Sequence, residues 1–117
     1  MLYDDNVRAF YRRLASELPT AEERTDFETQ VASAELARKG ETHDTFRFPW
    51  PYPDELRISV DIIDAIYADE DGADVNVIVH LVGGLLSWAE RFRNDSNPIM
   101  IWPPPKDAPL RFPRYNP

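Results

Sequence analysis

Gly83 and Gly84 sit back to back between two apolar runs, 75–82 and 85–92. Two consecutive glycines supply the positive φ angles that a two-residue hairpin turn needs. That turn lays strands at about 74–82 and 85–93 antiparallel, and so commits the chain to a sheet. A register follows from it. Val82 is set against Leu85, Leu81 against Leu86, His80 against Ser87, Val79 against Trp88, Val77 against Glu90 and Asp74 against Arg93. One side of the pleat is then apolar and the other mostly polar, and a slip of one residue would scramble both. Glu90 is the exception. It falls on the apolar side, where a lone carboxylate is costly, so Arg12 or Arg13 is expected to pair with it.

Other elements follow from local pattern. Val7, Phe10, Tyr11, Leu14 and Leu18 form one helical stripe, which predicts a helix over about 5–18, capped by Asp4 or Asp5 and stopped by Pro19. Thr20 and Glu23 have the spacing of a capping box and predict a second helix over about 21–38, ending at Gly40, with Phe27, Val31 and Ala34 on a thin apolar face. Residues 41–53 alternate aromatics with prolines and read as a linker. They present Phe46, Phe48, Trp50 and Tyr52 on an extended strip, either over the open end of the core or as a contact surface. Residues 57–68 are rich in Ile and Val and read as a strand with a bulge near Ile62-Ile63. The bulge turns Asp61 and Asp64 to solvent together, although Asp54, Arg57, Asp61 and Asp64 also share one helical stripe. A short fourth strand is expected at about 99–102, ended by Pro103-Pro104-Pro105, with an extended proline-rich tail over 103–117. The expected fold is a single α+β domain, 1–117: two N-terminal helices packed on one face of a four-stranded antiparallel meander.

Composition removes several classes. Cysteine is absent, which excludes disulfides and thiolate metal sites and leaves His43 and His80 as the imidazoles. The opening residues lack a basic stretch followed by an apolar one, so they do not read as a secretory signal, and a cytoplasmic location is expected. The apolar stretch 77–86 is too short to span a bilayer. A net charge of −8 disfavours direct nucleic-acid binding. No catalytic motif stands out. His80 opposite Ser87 has no orienting carboxylate, and DEDGAD lacks the glycine and glutamate spacing of a calcium loop. The chain therefore reads as no enzyme, with no cofactor and no metal.

The charge is also uneven. Residues 54–74 hold eight acidic side chains against the single Arg57, and they adjoin the most apolar run of the chain. Clustered carboxylates beside an apolar surface predict a docking site for a protein with a basic surface. The acidic set is Asp61, Asp64, Asp69, Glu70, Asp71 and Asp74, with Trp50 or Tyr52 as aromatic anchors.

The segment DEDGADVNVIVHLVGGLLSWAERFRNDSNPIMIWPPP, residues 69–105, resembles the C-terminal half of a loose class of small bacterial α+β proteins: a strand, a glycine turn, an aromatic-rich strand and a Pro-Ile strand ending at Trp-Pro. Such proteins are similar to immunity proteins encoded beside polymorphic toxins. The resemblance implies an inhibitory binding protein that occludes the basic active-site cleft of a cognate toxin. It carries over no functional residue. Two alternatives use the same residues: a phage-type inhibitor or nucleic-acid mimic, and a small adaptor or structural subunit.

Overall fold

The structure, a computed structural model, describes residues 2–49 and 56–113. Helix α1, Leu2–Arg13, tightens into a 3-10 turn at Leu14–Glu17; helix α2 follows at Ala21–Ser33. Five strands complete the fold: β1 Glu35–Lys39, β2 His43–Arg47, β3 Ile62–Ala68, β4 Asp74–Val82 and β5 Leu85–Arg93. They form one antiparallel sheet in the order β1-β2-β5-β4-β3. The chain is α+β, with five strands among the described residues rather than the expected four.

The helices behave as their local signals dictate. Val7, Phe10, Tyr11, Leu14 and Leu18 are all buried, as are Phe27, Val31 and Ala34 of the second stripe. Glu23 N–H donates to Thr20 Oγ1 at 3.1 Å, and the Thr20 hydroxyl donates to Glu23 Oε1 at 2.9 Å. Helix α2 stops five residues before the expected 38. Ala34 turns extended, and Glu35-Leu36-Ala37-Arg38-Lys39 becomes a strand although Leu, Ala, Arg and Lys favour helix. The cause is tertiary. The segment pairs along its whole length with β2, through a loop opened by Gly40 at φ +63°, and β2 in turn pairs with β5. The expected linker thus holds a strand, with Phe46 buried and Phe48 partly buried against the core. Trp50 and Tyr52 lie outside the described residues.

The segment 57–61 is no strand. Its amides are taken by helix α2: Arg57 N–H donates to Asp26 Oδ2 at 2.8 Å and Ser59 N–H to Glu23 Oε2 at 3.2 Å. The Ser59 amide foremost, with the Thr20 and Ser59 hydroxyls, lowers the Glu23 carboxyl from its ordinary value. A neutral clamp joins the same helix to the hairpin. Gln30 Nε2 donates to Gly84 O at 2.9 Å, and Leu86 N–H donates to Gln30 Oε1 at 2.8 Å.

The Gly83-Gly84 turn forms as expected, both residues at positive φ. The register holds only for Val82–Leu85 and Leu81–Leu86. Below them Ser87 is an unpaired extra residue, so His80 pairs with Trp88, Val79 with Ala89, Ile78 with Glu90 and Val77 with Arg91. A bulge of one residue inverts every later side chain of β5. Arg91 and Arg93 turn inward and are buried, while Trp88, Glu90 and Phe92 turn outward. Glu90 pairs with neither Arg12 nor Arg13; it stands on the outer face opposite Ile78.

The expected strand at 99–102 is also absent. The Met100 and Ile101 amides donate instead to the two carboxylate oxygens of Asp69, at 2.9 and 2.8 Å. This seats Trp102 against Phe10, Tyr11 and Tyr67 in the core. Farther on, Ile66 and Arg111 exchange both backbone hydrogen bonds at the free edge of β3, at 2.8 and 2.9 Å. The rest of the expected tail, 114–117, lies outside the described residues.

Candidate protein-binding face

The helices bury one face of the sheet, and the bulge decides what the other presents. Across β5, β4 and β3 the outward residues form rows: Trp88–His80–Ile62, Glu90–Ile78–Asp64 and Phe92–Asn76–Ile66. Ile62 is 50% exposed and Phe92 39% exposed. The Trp88 ring stacks on His80 at 3.9 Å between centroids, 10° from parallel, and His43 of β2 lies 5.8 Å away on a tilt of 20°. Glu90 sits beside both imidazoles, with Oε1 3.4 Å from His80 Nε2 and Oε2 4.0 Å from His43 Nε2. The stack holds the indole rigid, so it offers a broad apolar surface at little entropic cost.

A recess of about 320 Å³ opens beside this stack, lined by Ile62, Asp64, Ile78 and His80, with Pro113 from the tail. Asp64 Oδ1 is shielded from solvent there and accepts no hydrogen bond. A shielded carboxylate oxygen without a donor is costly and readily accepts one from an incoming group. Among the described residues, no three His, Asp or Glu side chains are disposed to hold a metal ion, and no helix is long and apolar enough to cross a membrane.

The six acids singled out in the sequence do not converge. Asp64 belongs to this face, whereas Asp61 is exposed just before β3, opposite Leu81 and with the parity of the inward Ile63. Glu70 is exposed at the β3–β4 turn, the far end of β3. The remaining three are engaged within the molecule. Asp69 is buried, with Oδ2 accepting from Arg93 Nη1 at 3.0 Å. Asp71 Oδ2 accepts from Arg93 Nη2 at 2.9 Å, and Asp74 pairs with Arg111, which reaches across β3. Asp95 completes the set around Arg93 at 2.5 Å.

This cluster perturbs every member. Burial opposes the Asp69 charge, but the amides of Met100, Glu70 and Ile101 and the Arg93 guanidinium together hold its carboxyl below the ordinary 3.8. Arg93 lowers Asp71 and holds Asp95 far below the usual carboxylate range. Arg93 itself is raised, by Asp95 first and then Asp71. The cluster ties the β3–β4 turn and loop 94–101 to β5, and only the exposed part of Asp71 and Asp95 faces solvent.

Sequence reasoning missed Trp88, Glu90 and Phe92 as surface residues because it carried the hairpin register past Ser87. One signal was available. The unbroken register left Glu90 without a partner against Val77, whereas slipping one residue turns Arg91 and Arg93 toward buried carboxylates.

No family model, curated protein or solved structure matches this chain.

Proposed function

We propose that this chain is a non-enzymatic binding protein that neutralises a protein partner by covering a basic cleft, as immunity proteins do for toxins. One observation carries this reading. The outer face of β3–β5 joins exposed Phe92 and Ile62 and the half-buried Trp88 to the carboxylates of Asp64 and Glu90, and the Arg111 guanidinium that reaches across β3 is already paired with Asp74. Apolar anchors flanked by unbalanced carboxylates suit a partner whose lysines and arginines surround an apolar or planar centre. The unpartnered Asp64 Oδ1 supplies a point where a guanidinium gains a charge-assisted bond. The proposed site leaves out Asp69, Asp71 and Asp74, whose carboxylates are held in ion pairs with Arg93 and Arg111, and keeps Asp64.

The test is co-expression with the product of the neighbouring reading frame. This chain is expected to relieve that product's toxicity and to form a stoichiometric complex with it. Trp88→Ala and Asp64→Asn keep the circular-dichroism spectrum and lose both effects. A harmless neighbour, or protection unaffected by both substitutions, rejects the reading.

A further inference from the structure

The two edges of the sheet are finished differently. At β3 the tail closes the edge through the Ile66–Arg111 bridge. At β1 no backbone among the described residues pairs with the outer edge, although the strand is regular, matched to β2 over five uninterrupted pairs, and free of proline and bulge. An open, straight edge is a template for another strand. We propose that the occupant is β1 of a second copy, giving a two-fold dimer with one continuous sheet.

Symmetry and charge select a single register. A two-fold axis normal to the sheet keeps each face on its own side, so only residues of like parity can pair. Three centres are then open. An axis at Arg38 sets two guanidiniums against each other. An axis at Leu36 leaves Glu35 opposite Ala37 and Lys39 unmatched. An axis at Ala37 places Glu35 opposite Lys39 of the second copy, twice, with the small Ala37 pair between them on that face and Leu36 opposite Arg38 on the other. Glu35 and Lys39 are both exposed, and neither has an ion pair within the described residues. On the outer face the combined row reads Arg47, Glu35, then Lys39 of the second copy, so opposite charges alternate across the junction. The β1–β2 hairpin is also far from the acidic β3 edge, so the net charge of −8 is kept from facing itself.

The full-length chain is examined by sedimentation equilibrium across concentration. A reversible dimer is expected. Lys39→Glu and Glu35→Lys each set like charges opposite and raise the dissociation constant about tenfold or more. The double exchange Glu35→Lys/Lys39→Glu restores it to within about threefold, while circular dichroism shows all three folded. The chain has no cysteine, so the register is read directly by cross-linking. Directly opposed residues lie about 4.5–5.5 Å apart, within disulfide reach. Ala37→Cys is therefore expected to give an oxidised dimer and Arg38→Cys to give none. A monomer at all concentrations, a dimer indifferent to both single reversals, or cross-linking at position 38 in place of 37 overturns the proposal.

Discussion

Arg91 and Arg93 stand two residues apart on the same side of β5, both buried, and they are held in opposite ways. Arg91 has one carboxylate. Its Nη1 donates to Asp44 Oδ2 at 2.9 Å, the guanidinium lies 4.2 Å from the Trp102 ring centroid, and Nε and Nη2 are shielded with no hydrogen-bond acceptor. Asp44 Oδ2 also accepts from the Tyr11 hydroxyl at 2.5 Å. Arg93 has three carboxylates, from Asp69, Asp71 and Asp95, two of them open to solvent. The first is an interior pair whose attraction works against full desolvation. The second is a marginal cluster that joins three segments, its Arg93–Asp69 centre shielded and its Asp71 and Asp95 rim open to water. The pair should govern core stability, and the cluster should govern the response to acid.

The largest effect is expected at the interior pair. Asp44→Asn leaves the Arg91 charge uncompensated and should cost about 3–5 kcal/mol in urea unfolding. The double variant Asp44→Leu/Arg91→Met removes both charges and should recover most of that loss; failure to recover would mean that the pair contributes more than its desolvation takes away.

Acid separates the two regions next. The Asp69, Asp71 and Asp95 carboxyls are depressed in the folded chain. Their contribution is therefore complete above the ordinary aspartate value of 3.8 and is lost as pH falls through the lower folded values. Melting from pH 7 to pH 2 should show the midpoint dropping below about pH 4. Arg93→Gln should lower the midpoint at neutral pH and flatten that acid limb. An equally steep limb in the variant would place the acid response elsewhere.

Gln30 provides an uncharged reference. Gln30→Leu strips a partner from the Leu86 amide and the Gly84 carbonyl, and should cost about 1–3 kcal/mol with no change in the acid limb. Asp71→Asn should give the smallest shift of the set. Its carboxylate is exposed, and Asp69 and Asp95 remain on Arg93.

The sequence disclosed whatever was decided within a few residues. The apolar stripe of α1, the Thr20–Glu23 cap and the Gly83-Gly84 turn depend on neighbours and were legible. β1 was not, because its helix-forming residues become a strand only when β2 is at hand to pair with it, and β2 is held in turn by β5. The segment 57–61 looked extended and apolar enough for a strand, but Glu23 and Asp26 on α2 claim its amides. Charge counting located the acids of 54–74 and could not see that Arg93 and Arg111, about 20 to 40 residues later, would meet three of them. The outer face of β5 stayed hidden for one reason, the bulge at Ser87, which only the unpartnered Glu90 of the unbroken register hinted at.

Ser87 works as a phase shifter in the alternation of β5. Deleting that single codon would restore strict in-and-out parity with β4. The indole of Trp88 and the ring of Phe92 would then swing beneath the helices, and both guanidiniums would point to water. One residue with no side chain of consequence therefore decides which half of the strand is greasy exterior and which is ionic interior. Length variation here would rewrite the surface wholesale, where a substitution merely edits it.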